Sequence, residues 1–287
     1  MTPLTVLATS ALELLADDAP LDLNARLKAE TGRAGPRRVS RFVRLALLGA
    51  RRCVGATPLP SSTAVYLTSN TGPVADTAEL LVQAATGQPL PPVRFVNVSS
   101  NMVSYYLAAE LGLQGSNQVV MSRDLAWFSL LETAWFNLPP GGTALVGAVE
   151  ECAWPLAAHR QRLGLPATAA LADSSHWLLL RRGAGGTPGD GTVITQLARL
   201  SNDAAARQWL ASAPRNAALT LSPMAASGIG QDCPVHTDNL EASDAANGLA
   251  DAAAGLAWLS RLSGRAYLLD RSASGRWGVI RSQPEAP

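Results

Sequence analysis

Cysteine is scarce in this chain: three in 287 residues (Cys53, Cys152 and Cys233), with no CxxC spacing. An odd, scattered set argues against a disulfide framework and suits a reducing compartment. Charge is also sparse, at 16% of residues and a formal net value of +1. Without a basic field or an acidic tail, nucleic-acid binding is not expected. Aromatics make up 5%, and seven of them are Trp. No apolar stretch approaches the roughly 20 residues that span a bilayer. The opening segment "MTPLTVLATSALELLADDAP" has no basic n-region, and Glu13 interrupts its apolar run. It therefore does not read as a signal peptide, and a cytoplasmic location is expected.

What the chain has in quantity is apolar residues, 47% of the total. At this length they can fill the core of one large α/β domain or two modest ones. "PRRVSRFVRLALLGARRCVG" (residues 36–55) spaces apolar residues helically with arginines opposite. Strands are expected at 63–70, 117–122, 143–149, 174–182, 191–199, 217–222, 265–270 and 277–282. Helices are expected at 76–87, 100–112, 125–138 and 241–262. The hydroxyl-rich turn at Ser99, Ser100 and Asn101 should cap the helix that ends at Gly112. Strand and helix alternate, as in a parallel or mixed sheet covered on both faces. The second half repeats this grammar less clearly. The glycine-rich loop at 182–192 is not followed by a lysine or a clear helix, so it does not read as a phosphate cradle.

The segment "QVVMSRDLAWFSLLETAWF" (118–136) joins an apolar strand to an apolar helix through Ser122, Arg123 and Asp124. Such a turn commonly presents a reactive side chain. Aspartate there is also one of the better helix N-caps, and capping is the expected role of Asp124. His159 lies in a polar segment and should be exposed, whereas His176 begins an apolar strand and should be a core or edge residue. The three cysteines read as ordinary structural thiols. No His/Cys/carboxylate spacing matches a metal site, and no cofactor is expected.

The run from "RFVNVSSNMVSYYLAAELGLQG" through "SNQVVMSRDLAWFSLLETAWF" to "LVGAVEE" resembles the beta-ketoacyl synthase branch of the thiolase superfamily. The likeness is continuous over 37–151 and recognisable again at 170–182 and 240–282. It is similar in particular to the short chain length factor members of aryl-polyene and type II polyketide systems. The resemblance implies an α/β fold, the thiolase-like αβαβα five-layered arrangement, as a single domain over 1–287. Residues 1–151 would form one half, and 152–287 a shortened second half.

The resemblance also places a cysteine nucleophile at the tip of the turn before the central helix. Aligned with a short deletion, Asp124 takes that seat; without it, Ser122 does. Neither replaces a thiolate as an acyl acceptor. The family's histidines have no clean counterparts: His236 lies on an inserted loop, and Glu241 takes the aligned position. The oxyanion-hole loop is replaced by "DRSASGRWG". By resemblance, the chain is a silent subunit that pairs with an active beta-ketoacyl-ACP synthase as a heterodimer and meets acyl carrier protein through the complex. The strand with Val119, Val120 and Met121 would form the seam, flanked by Met102, Tyr105 and Tyr106. Leu80, Leu81 and Gln83 would gate the acyl tunnel. The alternative is a stand-alone thiolase-fold enzyme, a malonyl decarboxylase or acyltransferase with a non-cysteine site.

Overall fold

The computed structural model describes residues 2–16, 20–32, 35–122, 124–183, 192–213, 218–221, 225, 240–242 and 266–284. Among the described residues there are ten strands: β1 (Leu4–Leu15), β2 (Ala64–Thr68), β3 (Asn117–Val120), β4 (Thr143–Glu150), β5 (Ala172–Arg182), β6 (Thr192–Leu200), β7 (Ala218–Leu221), β8 (Leu240–Ala242), β9 (Ala266–Arg271) and β10 (Trp277–Pro284). The helices among the described residues are α1 (Leu23–Thr31), α2 (Arg41–Val54), α3 (Val74–Ala85), α4 (Pro92–Asn97), α5 (Asn101–Leu111), α6 (Ala126–Asn137), α7 (Leu156–Leu163) and α8 (Asp203–Ala211).

All ten strands join one hydrogen-bonded sheet in the order β3-β2-β4-β5-β1-β6-β10-β9-β7-β8. The order contains a duplication. Numbered within its own half, each set of five strands runs 3-2-4-5-1, and the two sets meet where β1 pairs antiparallel with β6. Pair directions repeat as well. β2 is parallel to β3 and β4, as β7 is to β8 and β9. β4–β5 and β5–β1 are antiparallel, as are β9–β10 and β10–β6. The repeat therefore divides between β5 and β6, later than the 151/152 boundary read from the sequence, and the second half keeps a full set of five strands.

Side chains on a strand alternate between faces, and this alternation builds the layers. Leu178 and Leu180 of β5, Val146 of β4, Leu268 of β9 and Ile280 of β10 all pack in one cluster around α6. Their neighbours Trp177, Leu179 and Leu145 face α1, α2 and α5. Tyr267, Leu269, Trp277 and Val279 face α8. The order through the molecule is helices, first half-sheet, α6, second half-sheet, helix. α6 is thus covered from both sides, and the sequence marks it by being apolar nearly all round.

Two glycines permit the closest approaches. A Cβ on Gly49 of α2 would lie 2.2 Å from Ser175 Oγ of β5, and one on Gly147 of β4 would lie 2.3 Å from the Trp177 ring. Any larger residue at either point would push helix or indole off the sheet.

Several local expectations change. β1 is a long central strand where the sequence offered only a terminal apolar run. α4 begins at the end of the proline-rich connector. Ser100 adjoins α5 but makes no side-chain cap, although Gly112 does close that helix in the left-handed region (φ 69°). Leu240, Glu241 and Ala242 form β8 instead of opening a helix; the remainder of the helix expected at 241–262 lies outside the described residues.

Candidate functional site

The turn after β3 is an elbow with an unusual backbone. Leu125, the residue before α6, has φ 50° and ψ 47°, a left-handed conformation that disfavours residues with a Cβ by about 1–2 kcal/mol. Its side chain is buried in the cluster around α6. The point of the elbow before the central helix thus carries an apolar side chain held in a strained conformation.

Asp124 does not cap α6, contrary to expectation. α6 has no side-chain cap, whereas Asp22, Ser40 and Asn202 do cap α1, α2 and α8. The Asp124 carboxylate turns instead toward the β9–β10 turn. There Ser274 Oγ donates to Oδ2 at 2.8 Å, and Arg276 Nη2 donates at 2.9 Å. The Arg276 guanidinium, aided by Ser274, holds the Asp124 carboxyl below the usual carboxylate range. Ser122 is engaged too: its Oγ donates to the Asp124 carbonyl at 2.7 Å. Both residues proposed for the seat serve to fix the turn. One turn along α6, Trp127 Nε1 donates to Asp270 Oδ2 at 2.7 Å, and both side chains are buried.

The remaining candidates do not gather around this elbow. His236 and Cys233 lie outside the described residues, and Glu241 is placed in β8 at the far edge of the sheet from the elbow. His159 is buried, not exposed. Ala153 N donates to its Nδ1 at 3.4 Å, and burial beside Arg162 and Arg160 lowers its pKa to about 4. His176 is fully buried on β5, its Nε2 lying 3.8 Å from Glu13 Oε1. Burial raises the Cys53 and Cys152 thiols to about 12, so neither offers a thiolate.

A second polar cluster went unread in the sequence. β4 ends in Glu150 and is followed by Glu151, both buried. Glu150 accepts from Ser69 Oγ, Thr71 Oγ1 and the Asn70 and Thr71 backbone N–H groups, tying down the loop after β2. Glu151 accepts from Ala75 N at 2.9 Å, and burial raises its pKa to about 8. Behind it, Arg41 donates to Asp173, which also accepts from Cys152 N at 2.8 Å. The signal available was an apolar strand ending in two consecutive acids, in a chain with few charges.

The outer edge of the sheet is the third feature. Among the described residues β3 pairs only with β2, which leaves its other side open. Beside it lie two exposed apolar residues, Tyr105 of α5, the helix packed against β3, and Met121 just beyond its end; Leu81 and Val82 of α3 and Phe95 and Val96 of α4 are exposed as well. Tyr105 meets Tyr106 edge to face at 5.4 Å. Of the proposed seam residues, Met121 and Tyr105 are exposed, while Met102, Tyr106, Val119 and Val120 are half-buried. Of the proposed gate residues, Leu81 points outward (66% exposed) and Gln83 is half-buried. Leu80 is buried within its own chain (8% exposed) and is not available from outside.

No helix among the described residues is long and apolar enough to cross a membrane. No family model and no curated protein matches the chain in sequence. Solved structures do match it in shape. The chain is similar to the ishigamide ketosynthase/chain length factor, at 16% identity and a TM-score of 0.71, over 99% of this chain and 100% of that one. It is also similar to a chain from a type II polyketide synthase acyl carrier protein in complex with its ketosynthase bound to the hexaketide. That match has 10% identity and a TM-score of 0.69 and covers 99% of both chains. The duplicated half-sheets, the central α6 and these matches agree: the chain has the thiolase-like αβαβα fold of ketosynthase and chain length factor proteins.

Proposed function

We propose that this chain is a catalytically silent, chain length factor-like subunit that pairs with an active beta-ketoacyl-ACP synthase and helps to shape its acyl tunnel. The open β3 edge carries this reading. An edge strand with no partner on one side among the described residues is a template for another strand, and this one has exposed Tyr105 on the helix packed against it and exposed Met121 just beyond its end. A partner strand beside β3 would continue the sheet and cover Met121 and Tyr105. Silence is supported at the elbow, where Leu125 fills the strained position and Asp124 is spent on Arg276 and Ser274. The partner's acyl carrier protein would reach the complex without a thiol from this chain. By this reading Leu81 and Gln83 of α3 would limit tunnel depth.

Co-expression with a cysteine-containing ketosynthase, followed by native mass measurement, tests the pairing. The expected species is a one-to-one complex whose product length shifts in Leu81→Ala and Leu81→Trp. A monomer or homodimer that ignores every ketosynthase offered would sink the proposal.

A further inference from the structure

A cleft of about 740 Å³ opens between the first turn of α2 and α3, with Arg94 of α4 and Trp154 also in its walls. Its size falls within the range of small-molecule sites, roughly 300–1,000 Å³. Three guanidinium groups line it, and two are already matched. Arg41 is paired with Asp173 through Nη2 and lies over the Trp154 ring at 5.1 Å, although its own Nε and Nη1 have no hydrogen-bond partner; Arg94 is paired with Glu79. Arg44 is different. No carboxylate among the described residues stands within ion-pair distance of it, and its buried Nε has no hydrogen-bond partner. Burial lowers its pKa, and Asp76 and Asp22 counter this only through longer-range attraction. A desolvated guanidinium beside an open cavity is a charge waiting for a counter-ion.

We propose that this cleft binds a small carboxylate with an apolar body, the carboxylate lying on Arg44 and the body against Val39, Val82 and Trp154. The planar guanidinium fork suits a carboxylate bidentately. A monoanion fits better than a phosphate dianion because Asp76 and Glu79 share the wall and would repel the second charge. The cleft is lined by residues of one chain, so binding can be measured on that chain alone.

Isothermal titration of the purified protein, in whichever assembly it is isolated, with sodium benzoate, sodium hexanoate and inorganic phosphate is the test. At least one carboxylate should bind saturably and more tightly than phosphate. Arg44→Gln should weaken that binding at least tenfold, while the exposed, distant Arg207→Gln leaves it unchanged. Absence of saturation, equal affinity in Arg44→Gln, or tighter phosphate binding would each overturn the proposal. Should Arg44→Gln fail to fold, Val82→Asp, an exposed position in the same wall, must weaken the carboxylate; unchanged binding there overturns it equally.

Discussion

Asp124 and Arg276 are 152 positions apart in sequence and 2.9 Å apart in space. The pair joins the elbow of the first half to a turn of the second, yet it is partly open to water, with Arg276 57% exposed. Such a pair contributes little, about 0.5 kcal/mol. Arg276→Gln should lower the unfolding free energy obtained from urea titration by that small amount at pH 7, and less in high salt. Because the Asp124 pKa is depressed in the fold, the contribution is present above the unfolded value near 4 and is lost as pH falls through the folded value. Wild type and variant should therefore converge in acid. Glu151 has the opposite sign. Burial raises its pKa from an ordinary carboxylate value to about 8, so its protonated form favours the fold. That stability is complete below about pH 4.5 and is lost as pH rises toward 8. Glu151→Gln keeps an acceptor for Ala75 N and removes the titration. Its stability should fall less than the wild type's between pH 5 and 8.5, by a margin on the order of 3 kcal/mol at the alkaline end. Parallel curves would refute this assignment. Neither pairing was readable locally, since sequence spacing says nothing of a partner 152 residues away. That is why Asp124 looked like a cap: a helix start beside an aspartate is the commonest reason for one.

Elements were more legible than their contacts. α2, β2, β4, α6 and α5's glycine stop follow from periodicity and punctuation, which are properties of neighbouring residues. β1 is hidden because Leu4, Thr5 and Val6 are all buried, exposed positions alternate with fully buried ones only toward its C-terminal end, and Thr9, Ser10 and Glu13 dilute the apolar pattern. α4 was hidden by prolines that in fact occupy its first turn, where a missing N–H does no harm. Exposed Tyr105 and Met121 form an apolar flank beside β3 that is legible in the sequence, whereas exposed Phe95 and Val96 are not, because the prolines hide α4. That flank yields an element-level prediction. Met121→Asp sets a charge just beyond the open end of β3, on a side chain that is 51% exposed and contributes little to its own chain's core. It should weaken pairing with a ketosynthase by at least tenfold, about 1.4 kcal/mol, while the thermal midpoint of this chain alone stays within 1–2 °C, roughly, of wild type. Pull-down of wild type and variant with equal yield would show that the partner uses another surface.

At the scale of the molecule, duplication raises the question of whether the halves are separate folding units. Their strand orders are complete and equivalent, and each half has its own outer cluster. The inner cluster is shared, however. α6, from the first half, packs simultaneously against Val146 and Leu178 of its own sheet and Leu268 and Ile280 of the other. Trp127 adds a buried hydrogen bond to Asp270, and β1 pairs directly with β6. Removing either half would strip one side of α6, an apolar helix that solvent would not tolerate. The halves should therefore unfold together. Ile280→Ala tests this because Ile280 is fully buried on β10, in the second half, and the truncation opens a cavity against the shared layer. The expected loss is about 2–5 kcal/mol. In native-state hydrogen exchange, the slowest amides of β2 and β4 should lose as much protection as those of β9 and β10, since all exchange through the same global opening. Loss confined to β6–β10 would mean that each half-sheet opens alone, and that α6 belongs to the first half in stability as well as in sequence.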